Sequence, residues 1–87
     1  MQDYCFLDLE TTGFSPEKDS IIEVSFVRFQ DGKLVSEVDQ VCIPDKSELS
    51  DFVSNLTGIT QKEINEEGVA FTTIAAEVAE KIGDSVI

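Results

Sequence analysis

The 87 residues make one small domain at most, with an apolar fraction of 41% that argues against general disorder. Eighteen acids face six bases, for a net charge of −12, so the chain repels nucleic acid and anionic membrane surfaces at long range. It has no histidine, which excludes a histidine ligand or base within it. An anionic substrate needs a local positive element here, and a bound divalent metal is the natural candidate.

Tyr4 to Leu9 reads as a largely apolar strand. Cys5, Leu7 and Leu9 share one face, and Phe6, Asp8 and Glu10 the other, because strand side chains alternate. Thr12-Gly13 and Ser15-Pro16 then make a loop. Ile21 to Phe29 is a second strand, rich in Ile, Val and Phe. Asp31-Gly32 between apolar runs predicts a type I′ hairpin turn, which needs positive φ at both central residues. Leu34 to Ile43 is the third strand, stopped by Pro44 and antiparallel to the second.

Ser47 to Leu56 is expected to be a short helix, with Leu49, Phe52, Val53 and Leu56 at i, i+3, i+4 and i+7. Gly58 closes it, within the segment "LTGIT". Thr60 and Glu63 are spaced as a capping box that could start one more turn. Phe71 to Ile82 is the clearest helix, with Phe71, Ile74, Ala75, Val78 and Ile82 along one side and Gly83 at its end. Ser85 to Ile87 has the look of a further strand beginning. The order is three strands, then helices, then the start of a fourth strand.

Cys5 and Cys42 lie in apolar stretches with no metal-type spacing, so both read as reduced core thiols. No basic-then-apolar leader follows Met1, and no apolar run approaches the roughly 20 residues that span a bilayer. A cytoplasmic protein without membrane contact is expected.

The chemistry concentrates in "FLDLETTGF", Phe6 to Phe14. Two carboxylates at i and i+2 of a strand point the same way, about 7 Å apart at Cα. At low dielectric they must be hydrated, protonated or neutralised by a cation. Hard divalent ions prefer carboxylate oxygens, and two such ions can clamp the attacking and leaving oxygens of a phosphodiester. In the loop that follows, Gly13 permits close backbone approach and the Thr11 and Thr12 hydroxyls can donate hydrogen bonds. Spacing alone favours a solvated edge-strand face, with Thr-Thr-Gly an ordinary turn, over a metal pair.

The stretch from Phe6 to Val35 resembles the first motif region of the DEDD-type 3′–5′ exonucleases. Three features match in order: D-x-E-T-T-G at Asp8 to Gly13, "IIEV" at Ile21 to Val24 leading to the Asp31-Gly32 hairpin, and "LTGIT" at Leu56 to Thr60. The family includes the proofreading exonucleases of bacterial DNA polymerase III. The resemblance implies the N-terminal part of an α/β, ribonuclease-H-like fold. It implies two divalent ions, Mg²⁺ or Mn²⁺, with Asp8 bridging both and Glu10 holding the one that activates water. Leu9, Thr11, Thr12, Gly13 and Phe14 would contact the 3′-terminal nucleotide, and Thr57 would face it where many members carry histidine.

That implied activity is hydrolysis of single-stranded 3′ ends of DNA or RNA to nucleoside monophosphates, with a polymerase or helicase in the same chain or complex. The family uses four acids and a general base, and the second motif, a segment like H-N-x-x-F-D, has no match here. The chain is therefore expected to be the N-terminal half of one exonuclease domain, ending before that motif and inactive alone. A catalytically dead exonuclease-like fragment or protein-interaction module is the alternative. Among the other charges, Glu23 is expected to be structural, Arg28 and Lys33 surface charges, Asp45, Glu48 and Asp51 solvated acids around a helix start, and Glu66-Glu67 part of a solvated loop.

Overall fold

The computed structural model describes residues 3–15, 17–46 and 48–83. Its sheet is an antiparallel meander of β1 (Asp3–Thr11), β2 (Ile21–Gln30) and β3 (Lys33–Val41), in that spatial order. The β2–β3 hairpin has the expected turn, with Asp31 at φ 50° and Gly32 at φ 84° between the paired Gln30 and Lys33. Three helices follow: α1 (Asp51–Thr57), α2 (Gln61–Glu67) and α3 (Phe71–Ile82). The expected fourth strand at Ser85 to Ile87 lies outside the described residues.

Alternation gives β1 and β2 one apolar face, and α3 covers it. Cys5, Val24 and Phe26 pack there against Cys42, Ile74 and Val78. Both cysteines are buried thiols outside any disulfide, as expected, and burial pushes the Cys42 thiol up. A second core joins Ile22 and Val41 to Val53, Ile59 and Ile64, the residues that α1, α2 and their connection contribute. These two cores lie on opposite faces because β1 and β2 slip register after Glu10: Glu10 pairs with Glu23, yet Thr11 pairs with Ile21. Ile22 is the extra residue of a β-bulge, and the bulge resets the alternation. Ile21 thus joins the α3 side, while Ile22 and Glu23 turn to the other.

Three expectations need correction. First, α1 begins at Asp51, with Ser50 as N-cap accepting from the Val53 amide at 3.1 Å. Leu49 precedes the cap, so counting it into the helical stripe misplaced that stripe; Phe52 and Leu56 are 75% and 73% exposed. Gly58 reverses the chain in the left-handed region at φ 81°, and Ile59 enters the core instead. Second, the Thr60 cap, accepting from Glu63 N, opens a full helix, so Glu66 and Glu67 are exposed helical residues and not loop. Third, Arg28 is no free surface charge. Its guanidinium grips the Asp3 carboxylate through two hydrogen bonds of 2.9 and 2.6 Å, and it donates to the Lys81 carbonyl at 2.9 Å. It thereby ties β1 and β2 to the last turn of α3.

Candidate active site

The acid pair sits on the β1 face that α3 leaves uncovered. Asp8 is exposed and lies opposite Ser25, while Glu10 is half-buried and lies opposite Glu23. Among the described residues, neither the Asp8 nor the Glu10 carboxylate is ion-paired or hydrogen-bonded. The adjacent strands add Glu23 and Asp39 to the same face, and α2 brings Glu63 near. Burial raises the Glu23 carboxyl above its usual range, and the Asp39, Glu10 and Glu63 charges push it further. Like charges directly opposite destabilise an antiparallel pair, so the face is one of uncompensated negative potential.

Chemically, Asp8 and Glu10 offer hard oxygen donors, with no ion pair to either among the described residues, a donor set that suits Mg²⁺ or Mn²⁺. Among the described residues no group of three or more His, Cys, Asp or Glu is arranged to hold a metal ion.

β1 runs directly into the loop that carries the other predicted residues. The Thr11 hydroxyl donates to the Gly13 carbonyl at 2.7 Å, on the exposed side. The Thr12 hydroxyl donates to Asp19 Oδ1 at 3.0 Å and accepts from the Ser20 amide at 2.9 Å. Its proton is therefore engaged within the protein. Phe14 is fully exposed. Leu9, Thr11, Gly13 and Phe14 line one cleft of about 400 Å³, closed by Asp19, Ser20, Ile21 and Phe71. Because Leu9 alternates with Asp8 and Glu10, this cleft opens beside the loop and not between the acids.

Sequence reading passed over Asp19 and Ser20, which organise this loop. Asp19 Oδ2 accepts from the Ser15 amide at 3.0 Å. Ser20, buried at 3% exposure, donates to Asp45 Oδ1 at 3.1 Å and accepts from the Asp45 and Lys46 amides at 3.1 and 2.7 Å. The one available signal was an Asp-Ser pair just before the second strand, at the foot of a loop rich in hydroxyls.

Thr57 closes α1. Its hydroxyl donates to the Val53 carbonyl at 2.9 Å and accepts from the Ile59 amide at 3.2 Å. Val53 packs on Ile22 and Val41, so α1 stands on the Glu23 side of the sheet. Lys33 is exposed at the hairpin, and Asp51 sits in the first turn of α1, where it favours the helix dipole. Asp45 departs from a purely solvated role through its bonds with Ser20. Among the described residues, no helix is long and apolar enough to cross a membrane.

The RNase_T family profile, described as exonuclease, matches residues 5–87. A PolC-type DNA polymerase III of Thermotoga petrophila is 44% identical over 59 residues, covering 68% of this chain and 4% of the polymerase. The 3′-5′ exonuclease DinG of Bacillus subtilis is 35% identical over 78 residues, covering 88% of this chain and 8% of DinG. The nuclease domain of 3′hExo, a DEDDh family member solved bound to rAMP, superposes with a TM-score of 0.76 at 28% identity, covering 93% of this chain and 44% of that one. The chain thus spans less than a tenth of these two sequence relatives and under half of that nuclease domain. With the D-x-E-T-T-G strand and loop matched within that span, the chain belongs to the RNase_T exonuclease family.

Proposed function

We propose that this chain forms the first part of a metal-dependent 3′–5′ exonuclease that trims single-stranded 3′ ends of DNA or RNA to nucleoside monophosphates. One observation carries the reading: two carboxylates with no hydrogen-bond or ion-pair partner among the described residues stand side by side at the end of β1, where the strand enters the Thr11–Phe14 loop. Asp8 and Glu10 would hold two divalent ions, Mg²⁺ or Mn²⁺. When bound, such ions neutralise charge on a phosphodiester and supply an activated water.

The chain's own residues position the substrate. Gly13 and Phe14 would take the 3′-terminal nucleotide through backbone and ring contact, with Leu9 and Thr11 along the cleft beside them and Thr12 shaping the loop. Thr57 would approach the same nucleotide from the end of α1. The remaining acids and the general base come, on this reading, from residues outside this chain, which fits its coverage of 44% of the 3′hExo nuclease domain. The PolC-type DNA polymerase III and DinG exonuclease relatives, of which the chain covers 4% and 8%, make a larger protein the natural setting.

The test uses the complete gene product with a 5′-labelled single-stranded oligonucleotide. Stepwise shortening from the 3′ end should require Mg²⁺ or Mn²⁺, stop in EDTA, and vanish in Asp8→Ala. Full activity in Asp8→Ala, or activity independent of metal, contradicts the reading. No nuclease activity under any metal condition favours a non-catalytic interaction module instead.

A further inference from the structure

We infer that Asp19 is a positioning residue: its carboxylate sets the shape of the Thr12–Ser15 segment and, through that shape, the pose of the 3′-terminal nucleotide. The nucleotide half of this inference rests on the exonuclease reading above; the loop half does not.

The argument begins with Gly13. Its φ is not in the left-handed region, which among the described residues holds only Gly32, Gly58, Gly83 and Asp31. Glycine is therefore not required here for backbone freedom. It is required for space, because a Cβ on Gly13 would lie 2.4 Å from Asp19 Oδ2 and 2.7 Å from its Cγ. What comes close to Gly13 is the chain's own carboxylate. That carboxylate accepts from the Thr12 hydroxyl through one oxygen and from the Ser15 amide through the other, so it bridges both sides of Gly13-Phe14. The backbone reinforces the closure, with Asp19 N donating to Ser15 O at 2.8 Å and Thr12 N to Ser20 O at 2.9 Å.

The carboxylate itself has a firm footing. Ser20, next in sequence, is buried and tied to the Asp45 and Lys46 amides, which fixes Asp19 to the connection after β3. The loop therefore has a fastened inner side and a free outer side. The Thr12 hydroxyl is on the fastened side. Phe14 and the Thr11 hydroxyl are on the exposed side, where a ligand can reach them. A group that sets ground-state contacts in this way contributes to binding the substrate more than to the chemical step.

The experiment combines kinetics with a double-mutant cycle in the complete gene product. On a p-nitrophenyl nucleotide ester, Asp19→Ala and Asp19→Asn should raise KM by about tenfold and keep kcat within about threefold, the pattern of lost uniform binding. A retained kcat also shows that the variants fold. An unchanged KM in both variants, or a fall in kcat alone, overturns the positioning role. In the cycle, Gly13→Ala should lower the unfolding midpoint clearly in the wild type and little in the Asp19→Ala background, because the clashing carboxylate has gone. Additive losses overturn the loop half. The cycle reads unfolding and needs no turnover, so the two failures are distinguishable. If the wild type proves inactive, the exonuclease reading and the nucleotide half fall together, and the cycle still decides what Asp19 does to the loop.

Discussion

Glu10→Gln should stabilise the metal-free protein while destroying its activity, and the opposed signs are the point of the experiment. Glu10 has no described hydrogen bond or ion pair and lies directly opposite Glu23 across the β1–β2 ladder. Opposite pairs hold their Cβ atoms about 5 Å apart, and two charges at that distance in water-like surroundings repel by about 0.8 kcal/mol. Measured like-charge pairs fall at about 0.2–1 kcal/mol, so urea unfolding in EDTA should show Glu10→Gln more stable than wild type by about that amount. Metal reverses the order. A site that binds only the folded state adds about 1.4 kcal/mol at ten times its dissociation constant. Mn²⁺ should therefore stabilise the wild type and leave Glu10→Gln nearly unmoved. If Glu10→Gln destabilises the metal-free protein by more than about 1 kcal/mol, the residue has a structural role on the scale of a lost buried hydrogen bond. If Mn²⁺ stabilises both proteins equally, Glu10 is no metal ligand.

Glu23 should give stability an unusual pH slope. Its carboxyl is raised in the fold, so its contribution is fully present below the ordinary value of 4.5 and is lost as pH rises through the raised one. Urea midpoints of the metal-free protein should fall across that window in wild type and flatten in Glu23→Gln. Asp3 should act in the opposite sense. Arg28 holds its carboxyl below the ordinary 3.8, so its contribution is present above that value and disappears as pH falls through the lowered one. Acid titration of stability should lose this component in Arg28→Ala, and Arg28→Lys should not restore it, because an ammonium cannot reproduce the two-pronged grip. Gly58→Ala should cost about 1 kcal/mol in urea unfolding, the left-handed backbone cost less the gain from a stiffer unfolded chain. Among the described residues nothing beyond its chain neighbours lies within 4 Å of the added Cβ, so Gly58→Asn should cost less and no steric excess should appear.

The readable parts of this fold were those with local causes. Asp31-Gly32 predicts a turn because two adjacent residues need positive φ, and both have it. The α3 stripe was legible because Ile74 and Val78 repeat over a twelve-residue helix. The Asp8–Glu10 face followed from alternation along one strand. What escaped the sequence depends on contacts between distant residues. Simple alternation would place Ile22 with Val24 on one face, but a register slip after Glu10 carries it to the other. Leu49 extended a helical pattern past the cap at Ser50, since periodicity does not reveal where hydrogen bonding begins. Arg28 looked isolated because Asp3 is 25 residues away, although the ladder pairs Arg28 with Cys5 and so brings Asp3 within reach on the same face. Asp19 had no spacing signature, because a carboxylate bridging Thr12 and Ser15 obeys no period.

These displaced details bear on the site together. The bulge at Ile22 lets α1 and α2 pack against the sheet on the face that carries Glu23 and Glu10. That packing half-buries Glu23 among acids, while the ion pairs of Arg28 and Lys81 are formed elsewhere, with Asp3 and Glu77. A fold selected for stability alone would neutralise such a face, because each removed charge should stabilise it. Here the repulsion is instead concentrated where a strand ends and a fastened loop begins. The simplest physical reason for keeping it is a ligand that supplies the missing positive charge, and a divalent cation supplies the most charge in the least space. On that account the two readouts of Glu10→Gln, higher stability without metal and no response to it, share one cause, and finding either without the other would separate the electrostatics of the face from its proposed use.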